Sequence, residues 1–130
     1  MKNITSHYLQ ECRDALSAEQ AKSLAESDNW SHVDKPQVHR DWDALYRELA
    51  PLLDRLPPSS AQVQALMARH YAIVSRFYAP SGDAYIGMAL FYRENQAMND
   101  FHATYHPRMV DLLGEAMQTY AVTALGASPR

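Results

Sequence analysis

From residue 42 to 56 the apolar side chains fall at Trp42, Leu45, Tyr46, Leu49, Leu52, Leu53 and Leu56. That is the i, i+3, i+4, i+7 spacing of one helix face. Pro36 suits the first turn of this helix, and Pro51 predicts a kink or an end near Ala50. Pro57-Pro58-Ser59-Ser60 breaks the chain, and Ser59 with Gln62 reads as a capping box. Val63, Leu66, Met67, His70, Ile73, Val74, Phe77 and Tyr78 then share one broad face of a further helix, which Pro80-Ser81-Gly82 ends with Ser81 as the next cap. Tyr85, Met88, Ala89 and Tyr92 stripe the next helix, while Ile86, Leu90 and Phe91 widen its apolar surface enough to predict burial. Met98, Phe101 and Tyr105 mark a short helix after Glu94-Asn95-Gln96. Met109, Val110, Leu113, Ala116, Met117, Tyr120 and Ala124 mark a last one that starts near Pro107, closes at Gly126 and leaves ASPR as a frayed end or a cut. Upstream, Tyr8, Leu9, Cys12, Ala15 and Leu16 form a short amphipathic stretch. Ser17 with Gln20 caps a second short helix to about Glu26, and SDNWSHVDK is a loop. No strand alternation exceeds three or four residues, and no repeat is found. The expected fold is all-α, a globin-like helical domain of about five to seven helices with an aromatic-lined cleft. Proline-broken helices of unequal length suit such crossings better than a regular four-helix bundle.

The chemistry of the stripes suggests the cleft. Trp42, Tyr46, His70, Tyr71, Tyr78, Tyr85, Met88, Tyr92, Met98, Phe101, Tyr105, Met117 and Tyr120 sit on or beside them. A core built for stability alone leans on Leu, Ile, Val and Ala. Rings and thioethers instead line pockets for bulky aromatic ligands. The plainer alternative is a bundle that uses rings as filler.

The chain has 130 residues, 47% hydrophobic and 21% charged, with a formal net charge of −3. It fits one soluble domain able to bury a core without disulfides. No Lys/Arg cluster exceeds isolated pairs, so no nucleic acid is expected for this chain alone. No apolar run reaches the roughly 18 residues of a membrane span, and no signal-peptide core opens the chain, so no membrane partner and a cytoplasmic location are expected. Cys12 is alone and its flanks are mixed in charge, so no lowered thiol pKa follows. There is no Gly-rich phosphate loop, no Gly-x-Ser-x-Gly and no Cys-x-x-Cys. No cofactor, metal or catalytic residue is expected, and the chain does not read as an enzyme. His102 and His106 have metal-ligand spacing, but no carboxylate falls between them and Pro107 adjoins the second, so His106 reads better as a cap. Asp41 with Asp43, and Glu11 with Asp14, read as solvated helix faces. His70 on an apolar face is a satisfied core histidine, a polar handle in the cleft, or a haem ligand.

From Trp42 to Tyr120 run DWDALYRELAPLL, PPSSAQVQALMARHYAIVSRFYAPSGDAYIGMALFY and FHATYHPRMVDLLGEAMQTYA. Arg69-His70, Phe77-Tyr78-x-Pro80, Tyr85-x-Gly87, Tyr92 and a closing helix with Ala116 and Tyr120-Ala121 stand there in order. This stretch resembles the TipAS antibiotic-recognition domain, the drug-binding module of MerR-type activators that also occurs free-standing. The resemblance implies a globin-like all-α fold that binds multi-ring antibiotics, thiopeptides or albicidin-type oligoamides, to trigger transcription or to soak up drug. The chain shows neither the winged helix-turn-helix nor the coiled-coil linker of the activators, which favours sequestration. It also lacks a Trp-Gly and Tyr-x-x-Ser pattern upstream of Trp42. In the thiopeptide-binding member an upstream Cys bonds the ligand, but the sequence around Cys12 does not match it. The expected organisation is residues 1–35 as short helices and possible lid, and 36–126 as the ligand-binding domain. The expected ligand-binding residues are Trp42, Tyr46, His70, Tyr78, Tyr85, Met88, Tyr92, Phe101, Tyr105 and Tyr120. The expected partner is a small-molecule antibiotic, bound without covalent chemistry by a monomer or homodimer. The alternatives are a ligand-sensing module of a regulator, an interaction domain whose cleft takes a partner helix, and a drug-degrading enzyme for which no catalytic set can be named.

Overall fold

The structure, a computed structural model, describes residues 4–130. Among them are six helices and no strand: α1 (Ser6–Glu26), α2 (Lys35–Leu53), α3 (Ala61–Val74), α4 (Gly82–Glu94), α5 (Gln96–Ala103) and α6 (Met109–Ala124). The all-α expectation holds. Side-chain oxygens set most starts. Thr5, Asp34, Ser60, Ser81 and Asn95 accept from the backbone N–H groups of Tyr8, Gln37, Val63, Ala84 and Met98. Pro36 lies in the first turn of α2 as expected, and Gly126 follows α6 at φ +77°, a conformation glycine adopts freely.

Four local expectations are corrected. Residues 6–26 form one helix where two were expected, because Ala18, Glu19, Gln20, Ala21 and Lys22 are good helix formers. A Ser-x-x-Gln spacing is a cap only where the backbone breaks, and here it does not. Pro51 does not stop α2, which runs on to Leu53. A proline this near the C-terminus forfeits one hydrogen bond of a turn that is about to end. Ser60 caps α3 where Ser59 was expected. The ASPR tail is not frayed: Thr5 N–H donates to the Arg130 carbonyl at 3.0 Å, and the Arg130 guanidinium reaches Glu11 at 2.7 Å.

Helix α4 is the centre of the molecule. Every residue from Ala84 to Leu90 is buried, and α1, α5 and α6 all pack on it. Helix α1 crosses it at Gly87, where an added Cβ would collide with the Cys12 carbonyl. Tyr8, Cys12 and Leu16 of α1 thereby join the main core. The crossing is pinned at both ends by polar contacts. Tyr8 hydroxyl donates to Asp83 at 2.6 Å, and Arg13 makes a two-pronged contact with Glu94 at 2.9 and 2.6 Å. Helix α3 lies between α2 and α6. Helix α2 meets α3 on one side only, and this leaves room between α2 and α4.

Candidate ligand-binding cleft

That room is a cleft of about 390 Å³. Helix α1 and the turn after it contribute Leu16, Gln20 and Trp30, and α2 contributes His39, Trp42 and Tyr46. The end of α3 and the segment after it give Val74, Phe77 and Tyr78. Helix α4 gives Met88, Phe91 and Tyr92, and α5 gives Met98, Phe101 and His102. Among the described residues no Asp, Glu, Lys or Arg lines it. A second hollow, about 410 Å³, lies between α1, α4 and α6, but it holds no ring and is edged by Arg93, Arg108, Asp111 and Glu115. Volume does not separate the two; chemistry does.

Of the ten residues expected at the site, Trp42, Tyr46, Tyr78, Met88, Tyr92 and Phe101 line the cleft. His70 and Tyr85 are fully buried behind its floor. Tyr105 packs on the far side of Tyr46, centroids 5.2 Å apart, and its hydroxyl donates to Asp43 at 2.7 Å. Tyr120 packs against Tyr71 and Tyr85, away from the cleft. The expected ligand-binding set left out Leu16, Gln20, Trp30, His39, Val74, Phe77, Phe91, Met98 and His102. Met98, Phe77 and Val74 were on apolar stripes and could have been included. Trp30 carried no periodic signal at all.

A chain of hydrogen bonds supports the floor. His102 Nδ1 lies 2.7 Å from the Met98 carbonyl. A carbonyl only accepts, so Nδ1 carries the proton and Nε2 of the neutral ring accepts. Tyr46 hydroxyl, 3.1 Å away, donates to that Nε2. Its oxygen then accepts from His70 Nε2 at 3.3 Å, and His70 Nδ1 accepts from Tyr85 hydroxyl at 2.8 Å. One carbonyl thus fixes every proton along five groups. Burial, helped by the nearby His102 ring, holds the His70 pKa down at about 3, and burial lowers His102 as well. Both rings are neutral at pH 7. His70 is therefore the satisfied core histidine: neither ring nitrogen is free for iron or for a ligand. His102 and His106 do not converge either, since His106 Nε2 meets Asp54 at 2.8 Å and Nδ1 accepts from the Arg108 N–H. Among the described residues no group of three His, Cys, Asp or Glu could hold a metal ion.

The walls are rings. Tyr92 lies 4.4 Å from His102 at 30°, and Trp42 stacks on Phe77 at 6.1 Å and 14°. Trp30 meets Phe77 edge-on at 5.1 Å. It is held by an indole N–H donated to Ser23 Oγ at 2.8 Å, in a turn where Asp28, Asn29 and Trp30 all have left-handed φ of 50°, 58° and 62°. Of four buried polar side-chain atoms without a partner among the described residues, two belong to residues that line the cleft. Trp42 Nε1 and Tyr78 hydroxyl are closed to solvent, and no partner satisfies them among the described residues. Burial pushes the Tyr78 pKa up to about 12. Phe91 and Phe101, 45% and 46% exposed, form the rim. Cys12 is fully buried under α4, and burial raises its thiol pKa, so it is neither at the cleft nor a thiolate.

No solved structure matches the chain. The chain is 29% identical over 121 residues to the HTH-type transcriptional regulator SkgA of Caulobacter vibrioides, in each of two strains. The match takes in 91% of this chain but 46% of that regulator, so the chain spans less than half the length of these relatives. The model of the TipAS antibiotic-recognition domain matches residues 6–120, from the first turn of α1 to Tyr120 in α6, and the chain belongs to that family.

Proposed function

We propose that the protein binds a multi-ring aromatic or peptidic antibiotic, of albicidin or thiopeptide type, in the cleft between α2 and α4, without covalent change, and sequesters it. The observation that carries this is a 390 Å³ cleft walled by Trp, Tyr, Phe, Met and His with no charged side chain. A cavity of about 150 Å³ accepts one benzene, so this one seats about two or three rings. A longer drug lies with its remainder over Phe91 and Phe101. Stacking on one ring is worth about 0.5–1.5 kcal/mol beyond burial. Several rings together with the apolar area support nanomolar binding, about −12 kcal/mol. The turn bearing Trp30, with the C-terminal half of α1, serves as the lid.

Trp30 and Trp42, the two tryptophans of the chain, both line the cleft. Titration with albicidin or thiostrepton is expected to quench their fluorescence with a submicromolar midpoint. Tyr92→Ala is expected to weaken binding at least tenfold while leaving helical circular dichroism intact. Equal affinity in the variant rules the cleft out. Recovered drug of unchanged mass separates binding from degradation.

The resemblance to SkgA supports a second reading, a drug-sensing module of a transcription regulator. Sequestration scales with protein: drug tolerance in cells should rise in proportion to the amount of this chain expressed. Binding in vitro without such protection favours the sensor.

A further inference from the structure

The floor and the wall of the cleft differ in what they can offer a guest. On the floor, Tyr46 hydroxyl both donates and accepts, and both nitrogens of His102 are engaged. The floor therefore presents ring faces and no spare donor. On the wall, Trp42 Nε1 and Tyr78 hydroxyl have no partner. Leaving a buried donor unsatisfied costs about 1–3 kcal/mol, so two on one wall of one cleft form a feature that needs a reason. Both atoms are covered in this structure. What lies beside Trp42 is a stack of rings, Trp42 on Phe77 and Phe77 against the edge of Trp30, while the charged group and ring that act on the Tyr78 hydroxyl are Glu19 and Tyr71.

Resting on the reading of the cleft as an aromatic-ligand site, we infer that Trp42 Nε1 and Tyr78 hydroxyl are the polar readers of the guest, and that the guest is an uncharged planar chain carrying hydrogen-bond acceptors such as amide carbonyls. The guest enters by parting the Trp42–Phe77–Trp30 stack. The indole N–H donates to one acceptor and the phenol serves a second. Lack of charge follows from the lining: an ion entering the cleft loses water and meets no counter-charge among the described side chains.

The test displaces Nile red from the whole chain with three matched compounds. Benzanilide carries an amide, trans-stilbene has its shape without one, and a benzanilide dicarboxylate has one charge on each ring, so either end that enters is charged. The readout is the ratio of half-displacing concentrations, stilbene over benzanilide, which cancels general apolar affinity. In Trp42→Phe and in Tyr78→Phe this ratio is expected to fall about five- to tenfold, the size of one lost hydrogen bond. The melting temperature of free Tyr78→Phe should hold or rise, because an unsatisfied hydroxyl has been removed; Trp42→Phe also loses packed ring area against Phe77 and should melt lower while keeping its helical circular dichroism. The dicarboxylate is expected to be at least tenfold weaker than benzanilide. An unchanged ratio in both variants, or a dicarboxylate as good as benzanilide, overturns this inference while Nile red binding still upholds the cleft. Failure of wild type to bind Nile red at all overturns both.

Discussion

His70 does not itself line the cleft, yet the floor depends on its charge state. Its folded pKa, about 3, lies below the ordinary histidine value of 6.5, so the folded protein prefers the neutral ring. Between pH 6.5 and 3 the unfolded chain binds a proton that the folded chain does not, and stability falls as pH falls through that window. The slope is about 1.4 kcal/mol per pH unit, or about 2 kcal/mol lost from pH 6.5 to 5. His102 is lowered too and adds in the same direction. Denaturant midpoints at pH 7 and pH 5 check this. His70→Gln should start less stable but lose clearly less on acidification. A variant slope as steep as wild type would mean that other groups carry the acid sensitivity. The sequence put His70 on an apolar face and left its role open. Only the Met98 carbonyl, more than a helix away in sequence, decides which protons the ring keeps.

At the scale of elements, helical spacing located each stripe but not its depth. Tyr85, Met88 and Tyr92 share one stripe of α4, yet Met88 and Tyr92 line the cleft while Tyr85 lies behind it. Likewise His70 is buried where Val74, one turn later on α3, is at the surface of the cleft. A broad apolar face serves core and cleft together, and its period cannot tell the two apart. Phe91 was legible only as extra width. Trp30 was illegible, because its place is set by a left-handed turn and a bond to Ser23, neither of which repeats. Helix α1 was misread because its burial is narrow: Tyr8, Cys12 and Leu16 suffice, since Gly87 lets the two backbones touch. That crossing is a testable hinge of the fold. Gly87→Ala places a methyl against the Cys12 carbonyl, which a flexible side-chain end could evade but backbone cannot. It should destabilise by about 1–3 kcal/mol, seen as an earlier chemical denaturation midpoint. An unaltered midpoint would show that α1 can slide on α4 without loss.

Across the described residues, charge is kept out of the cleft. The ion pairs Arg13–Glu94, Arg47–Asp43, Arg69–Glu48 and Arg76–Asp41 are at the surface, and the cleft between the helices is lined without charge. Ligand binding should therefore differ from surface electrostatics in its response to salt. Raising ionic strength from about 0.01 to 1 M shortens the screening length from about 30 to 3 Å, which weakens exposed pairs but leaves an uncharged contact in a cleft largely alone. Drug affinity is expected to change less than about threefold across that range, a small fraction of the −12 kcal/mol invoked above. Ligand at about 100 times its dissociation constant should stabilise the fold by about 2.7 kcal/mol, a rise of about 10 °C in melting temperature for a domain of this size. The two measurements constrain each other. A drug that raises the melting temperature only at low salt binds the charged exterior, and the cleft is then not its site. A drug that does so at both salts, and loses the effect in Tyr92→Ala, is held by the rings.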